Sequence, residues 1–546
     1  MGPAAPRPDP MVESPDQISE RSAHAGEHAV RSEAGRRRTF AIISHPDAGK
    51  TTLSEKLLLY AGAIEEAGAV KARRQRRAAT SDWMDLERQR GISVSSTVLR
   101  FDFEGHTFNL LDTPGHRDFS EDTLRVLAAA DSAVILLDAA KGIEEQTLKL
   151  FQVARERHIP LITFVNKYDR PALEPLALID EIEAELGLSP APVTWPVGSA
   201  ERFRGVVDRR DGTFHRFQRT ARGASIGAEE RLPVSQAAAE GGEEWAAAEE
   251  ETGLLDAVGA NLDLDAYRGG VSTPVLFGSA LSNFGVRLLL DAMIELAPAP
   301  GAMRTADGAD RELTAPFSGL VFKVQANLDP RHRDRLAFVR VCSGRFQRGE
   351  RVTNARTGQE LGTSYAHEIF GRERQTLNTA YPGDVIGLAN AGDVRIGDTL
   401  FVGSEARFPS PPTVAPDRFL RLRSADTQSY KKFRRGLAQL EHEGVVHVLH
   451  EPDVGPQSPI LGGAGQLQFE VACYLLEHEF GAAVRRDPLD WHVSRRIDEA
   501  GRTAVESRSR GRVLIGDGFQ LAVFKDRFEL ELFERDHPDV SLSPIL

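Results

Sequence analysis

The sequence predicts a multidomain protein: a mostly parallel α/β domain with an α+β insertion, a β-barrel domain, and a C-terminal ferredoxin-like α+β domain. Three observations carry this prediction. Apolar runs of strand length alternate with amphipathic segments up to about residue 300. Short strand patterns punctuated by glycine turns follow. The last segment runs strand, helix, two strands, helix, strand. A length of 546 residues accommodates three or four such domains.

Residues 1–36 are rich in Pro, Ala, Glu and Arg and hold almost no large apolar side chain, so a disordered extension is expected there. The α/β domain is expected over 37–300, with strands at 40–43, 107–111, 133–137, 161–165 and 274–277. Its rhythm breaks between about 190 and 270, where TWPVGSAERFRGVVD precedes an Ala- and Glu-rich, helix-like run near 235–258; this is the insertion. Ala297, Pro298, Ala299, Pro300 and Gly301 mark a linker. The β-barrel is expected over 301–409 from FSGLVFKV, RLAFVRVCSG, ERVTN, GDVIGLAN and GDTLFVG. In the α+β domain, 410–546, FLRLRS reads as a strand and Phe433, Leu437 and Leu440 as a helix face. VVHVLHE and PILGGAG read as strands, Leu467, Val471, Leu475 and Leu476 as a second helix face, and AAVRR as a last strand.

Composition narrows the class. The chain is 41% hydrophobic and 27% charged, ordinary for a globular protein, and its two cysteines, Cys342 and Cys473, make neither a disulfide framework nor a zinc cluster. No apolar run approaches the roughly 20 residues that span a bilayer, and the N-terminus lacks the apolar core of a signal peptide, so a cytoplasmic location is expected. A net charge of −13 is not the usual picture of a nucleic-acid binder, although KARRQRR, Lys71 to Arg77, is a local basic run. Such a run is either a solvated loop or a contact for phosphate or an acidic partner.

The chemistry lies at strand ends. Residues 44–52 read SHPDAGKTT after the apolar run Phe40–Ile43. Backbone N–H groups of such a loop curl around an anion at a helix N-terminus. Ser44, His45, Pro46, Asp47, Ala48, Gly49, Lys50, Thr51 and Thr52 form the candidate phosphate loop. Gly49 permits close approach, Lys50 reaches the β- and γ-phosphates, and the Thr51 hydroxyl ligates Mg²⁺. Ser44 stands where G-x-x-x-x-G-K-[ST] has its first glycine, so the loop alone is an incomplete match. LLDTPGHRDF, 110–119, supplies Asp112 for Mg²⁺, with Thr113, Pro114 and Gly115 beside the γ-phosphate and His116 placed to orient an attacking water. In FVNKYD, Asp169 can accept the two N–H donors of guanine that adenine lacks; Asn166 braces the loop and the Lys167 stem covers the base. In FGSAL, the Ser279 and Ala280 backbone faces the guanine O6. In QRGIS, Ser93 is a third candidate Mg²⁺ ligand, on a segment able to close over the γ-phosphate. Alone, His116 is a surface turn histidine and Ser93 an ordinary turn residue. Their place in an ordered series of strand-end motifs selects phosphate and guanine chemistry, that is, a P-loop GTPase domain.

Together, RTFAIISHPDAGKTT, SDWMDLERQRGIS, LLDTPGHRDFSEDT and NKYD resemble the translational GTPases. With TWPVGSA, FKVQANLDPRHRDRLAFVRVCSG, YPGDVIGL and GQLQFEV, the resemblance extends from about residue 37 to at least 540 and points to the bacterial peptide chain release factor 3 family. It implies GTP and GDP as ligands with Mg²⁺, and GTP hydrolysis stimulated by the ribosome, whose rRNA positions His116. It also implies dissociation of class I release factors after peptide release by a monomeric factor. Tyr168 departs from the pattern, where an aliphatic residue is usual, and is expected to face away from the base. The N-terminal extension and the final SLSPIL have no counterpart. A translocase of the elongation factor G type or a ribosomal protection protein shares the first three domains but needs two more, and only about 60 residues follow AAVRR. A GTP-binding scaffold with little turnover is the other alternative, opposed by His116 and the complete Mg²⁺ set.

Overall fold

The computed structural model describes residues 26–64, 96–114, 118, 120–217, 229–326, 335–370, 373–413, 415–508 and 511–544. Seven strands form the main sheet: β1 (Arg37–Ser44), β2 (Thr97–Phe103), β3 (His106–Asp112), β4 (Ser132–Asp138), β5 (Leu161–Asn166), β6 (Ser189–Pro192) and β7 (Ser272–Phe277), in the order β2-β3-β1-β4-β5-β7-β6. All pairings are parallel except β2 with β3. Every residue of β1, β4, β5 and β7 is buried, as expected of parallel strands covered on both faces. The register aligns Ile42 with Asp112, Ser44 with Leu136 and Asp138 with Asn166. The carboxyl ends of β1, β3, β4 and β5 therefore reach one edge, where ligands of open α/β sheets bind.

The insertion builds a four-stranded antiparallel sheet from Thr194–Val197, Gly205–Asp208, Thr213–Phe217 and Glu229–Pro233, followed by helices Val234–Ala238, Glu243–Ala257 and Leu264–Arg268. Trp195 packs edge-on against Phe277 of β7 at 5.3 Å, and Phe214 against Trp245 at 4.8 Å, so the insertion shares one core with the main sheet. Next comes an eight-stranded antiparallel, barrel-like sheet whose central strands are Ser318–Ala326 and Arg335–Ser343, wrapped about Val321, Val339, Val352, Ile386 and Leu400. Arg340, buried, joins this domain to the first through Asp131 at 2.6 Å and the Ala129 carbonyl.

Strands Arg418–Ser424, His447–Leu449, Ile460–Gly463 and Val484–Leu489 alternate with helices α3 (Tyr430–His442) and α4 (Gln466–His478) in ferredoxin-like order, the first and third strands central. A further three-stranded unit follows, Val493–Ile497, Arg512–Ile515 and Gln520–Phe524, with helices Glu499–Arg508 and Arg527–Asp536 and its own core. The sequence patterns above did not foresee it.

One expectation is corrected. Residues 26–35 are helical (α1), not disordered. Val30 and Ala34, four apart, bury against Leu313 and beside Tyr381 of the barrel, and Glu33 pairs with Arg37 at 2.8 Å. Two small apolar residues on one face suffice for docking, and average composition hides them. Among the described residues no helix is long and apolar enough to cross a membrane.

Candidate nucleotide-binding site

Ser44 ends β1 in extended pairing with Leu136 and is absent from the positive-φ residues. The position thus has no conformational need for glycine. The left-handed residues are Asp47 (φ 68°) and Gly49 (φ 102°). At Gly49 a Cβ would also lie 2.5 Å from the Asn166 amide nitrogen, so strain and crowding both require glycine. Helix α2 (Lys50–Tyr60) starts there without a side-chain cap or an acidic residue in its first turn. Its first N–H groups and the positive end of its dipole therefore face the loop. Pro46, Asp47 and Thr51 are exposed, Thr52 is half-buried, and Ser44, His45 and Ala48 are buried.

The Lys50 ammonium is buried and donates to the Thr113 carbonyl and, at 3.2 Å, to its hydroxyl; the hydroxyl donates to the Ile42 carbonyl at 2.8 Å. Burial lowers the lysine pKa, opposed by the Asp112 carboxylate. A desolvated cation with one carboxylate in reach suits an anionic ligand. Burial likewise lowers the His45 imidazole, against the Glu144 carboxylate that touches Nδ1.

Asn166 ties three loops together. Its amide donates to the Ala48 carbonyl at 2.7 Å and its oxygen accepts from the Ala280 N–H at 2.8 Å. Lys167, at φ 72°, donates to the Asp47 carbonyl at 2.5 Å and to Asp138 at 2.7 Å. Burial would raise the Asp138 carboxyl, but Lys167 and the Ala140 N–H outweigh it and lower it. One Asp169 oxygen accepts from the Ser282 hydroxyl at 3.0 Å; the other is buried without a protein donor. An unmatched carboxylate oxygen fits a base that brings two N–H donors. Tyr168 faces away, edge-on to Phe277 at 5.3 Å with its hydroxyl on the Leu173 carbonyl at 3.1 Å.

The structure thus brings the phosphate loop, Asp112, Thr113, Asn166, Lys167, Asp169, Ser279 and Ala280 to one edge. It differs from the sequence expectation at Ser279 and Ala280. Their N–H groups already donate to the Phe284 carbonyl at 2.9 Å and to Asn166, so they brace the base-side loop rather than stand open. Lys167, too, lies along the phosphate loop. Asp138, Glu144 and Ser282 were missed. Asp138 ends an apolar strand, a signal available in SAVILLD; Glu144 and Ser282 sit in loops without one. Gly115, His116, Ser93 and the run Lys71–Arg77 lie outside the described residues. Ser96, just beyond them, donates to Asp122 at 2.7 Å and accepts from Lys323 of the barrel at 3.0 Å.

Comparison with known proteins agrees with this geometry. Residues 35–299 match the elongation factor Tu GTP binding domain, 316–403 elongation factor G domain 2, and 408–534 the C-terminal domain of the class II release factor RF3. Peptide chain release factor 3 of Synechocystis sp. is 50% identical over 94% of this chain and 95% of its own. That of Synechococcus elongatus is 49% identical over 93% of each. The chain belongs to the peptide chain release factor 3 family. Like the family, it is a translational GTPase of termination that binds guanine nucleotide. A crystal structure from Thermus thermophilus, 23% identical with a TM-score of 0.66, covers 85% of this chain and 70% of its own and supports the fold of this release factor 3 family member.

Proposed function

We propose that the protein is a cytoplasmic, monomeric factor that uses GTP on the ribosome to drive class I release factors off after peptide release. The observation that carries this reading is a class II release-factor domain joined, over nearly the whole chain, to the GTPase and barrel domains. After the barrel come a ferredoxin-like unit and a three-stranded unit, and the class II release-factor match over 408–534 spans both.

Lys50, the N–H groups at the start of α2 and the loop from Ser44 to Thr52 would hold the β- and γ-phosphates, and Asp169 would select guanine. Mg²⁺ would be held by Thr51, Asp112 and Ser93. A single carboxylate with hydroxyls suits a cation that keeps phosphate and water ligands, and once bound it neutralises phosphate charge. His116 would orient the attacking water, positioned by rRNA, with Gly115 reporting the γ-phosphate. Phosphoryl transfer needs little more than positioning and charge stabilisation.

An RNA partner is also supported on the surface. Lys431, Lys432, Arg434 and Arg435 of α3 are exposed and have no ion pair among the described residues. Within the helix, Lys431 has Arg434 and Arg435, and Lys432 has Arg435, as like-charged (i, i+3) or (i, i+4) neighbours, and all four sit in the first half of a helix without an acidic first turn. That arrangement opposes both helix-pair and dipole stabilisation, so it serves binding, with phosphates the fitting counterpart.

Steady-state GTP hydrolysis with and without ribosomes tests the proposal. Ribosomes should raise turnover, and His116→Ala should remove the stimulation while GTP still binds. Equal turnover with and without ribosomes would refute it.

A further inference from the structure

The helix α4 of the third domain begins at Gly465, a residue with no side chain to cap it. Half of a capping arrangement is present: the Gln468 amide oxygen reaches back to the Ala464 N–H at 2.6 Å and the Gly465 N–H at 3.3 Å. The missing half comes from another domain. Asp118 of the GTPase domain accepts from the Leu467 N–H at 2.8 Å, the bond an N-cap carboxylate ordinarily makes. A Cβ built on Gly465 would overlap the Asp118 carboxylate, so that carboxylate occupies the space of an N-cap side chain.

A second contact repeats the design. Arg125, on the GTPase-domain helix Ser120–Leu127, donates to the Gly444 carbonyl at 3.0 Å. A Cβ on Gly444 would overlap its guanidinium. Glu121, on the same helix, pairs with Arg125 and meets the His447 imidazole at 3.4 Å.

We infer that Asp118 is a positioning residue for hydrolysis: by capping α4 in trans it fixes the chain two residues from His116 to the third domain. Upstream, Lys50 and Ile42 hold Thr113; downstream, the third domain holds Asp118. Displacing that domain displaces one anchor of the histidine segment, so the ribosome reaches the catalytic segment through the third domain as well as directly. The inference rests on the proposed role of His116.

The test uses the full-length protein with ribosomes and follows stimulated GTP turnover, GTP affinity and thermal unfolding. Asp118→Ala should lower stimulated kcat about tenfold or more with GTP affinity unchanged, and Asp118→Asn, which keeps an acceptor oxygen, should recover much of it. Asp118→Ala combined with Gly465→Ser restores a cap within the third domain but not the tether. It should recover thermal stability and leave turnover low. Recovery of turnover in that double variant would show that only helix stability matters and would overturn the inference, as would Asp118→Ala turnover within twofold of the parent. Absence of ribosomal stimulation in the unaltered protein would instead refute the proposed function.

Discussion

Asn166→Ala should cripple nucleotide binding without unfolding the protein. The side chain is 2% exposed and spans the phosphate loop and the base-side loop through Ala48 and Ala280. Truncation leaves a buried carbonyl and a buried N–H without partners, each costing roughly 1–3 kcal/mol. It also opens the space between Gly49 and the β5 end, which the amide fills at close contact. The two unpartnered groups together cost about 2–6 kcal/mol, of which the main sheet absorbs little because both loops lie beyond the strands. At about 1.4 kcal/mol per tenfold, GTP and GDP affinity should fall by roughly 10- to 10⁴-fold. Titration with a fluorescent guanine nucleotide measures this, and thermal unfolding without nucleotide separates it from misfolding. Affinity within threefold of the parent, with both loops intact, would refute the view that Asn166 organises the site.

Other consequences follow from charge. Burial would raise the Glu121 carboxyl, but Arg125 and His447 hold it at about 2, below its ordinary 4.5. A carboxyl depressed on folding contributes stability above its unfolded pKa and loses it as pH falls through the folded one. Its contribution is therefore whole above about pH 5 and gone near pH 2, at most about 3 kcal/mol. Glu121→Gln should be less stable at neutral pH, and the gap between the two proteins should close on acidification; a gap independent of pH would contradict this. Replacing Lys431, Lys432, Arg434 and Arg435 with Gln should weaken ribosome binding and flatten its log–log salt dependence by about 3 units if all four meet phosphates, while GTP affinity stays unchanged. An unaltered slope would remove the basic face from the interface.

Much of this was legible in the chain because short, β-branched apolar runs such as AVILLD and LITFV have the length and composition of strands covered on both faces, and their ends carry the motifs. Two main-sheet strands escaped. Ser189–Pro192 is half proline, which disguises an edge strand; Thr97–Phe103 is the antiparallel edge, partly exposed and only loosely patterned. The C-terminal three-stranded unit escaped because its core residues, Val513, Phe524 and Phe533 among them, come from short elements with no long apolar run. In the site, the residue types were readable but their partners were not. Asp138 beside Lys167, Ser282 beside Asp169, and the two glycines that admit Asp118 and Arg125 are neighbours only in space. Ser44 shows the reverse: the motif lacks its first glycine, yet the backbone there is ordinary strand.

The most direct test of the account uses ribosomes halted at a stop codon after peptide release, holding a fluorescently labelled class I release factor. The protein is added with GTP, GDP or ATP and loss of the label is followed. Rapid dissociation is predicted with GTP and not with ATP. Label retained under GTP, while the ribosome still stimulates hydrolysis, would contradict a role in release-factor departure and assign the GTPase to another ribosomal step.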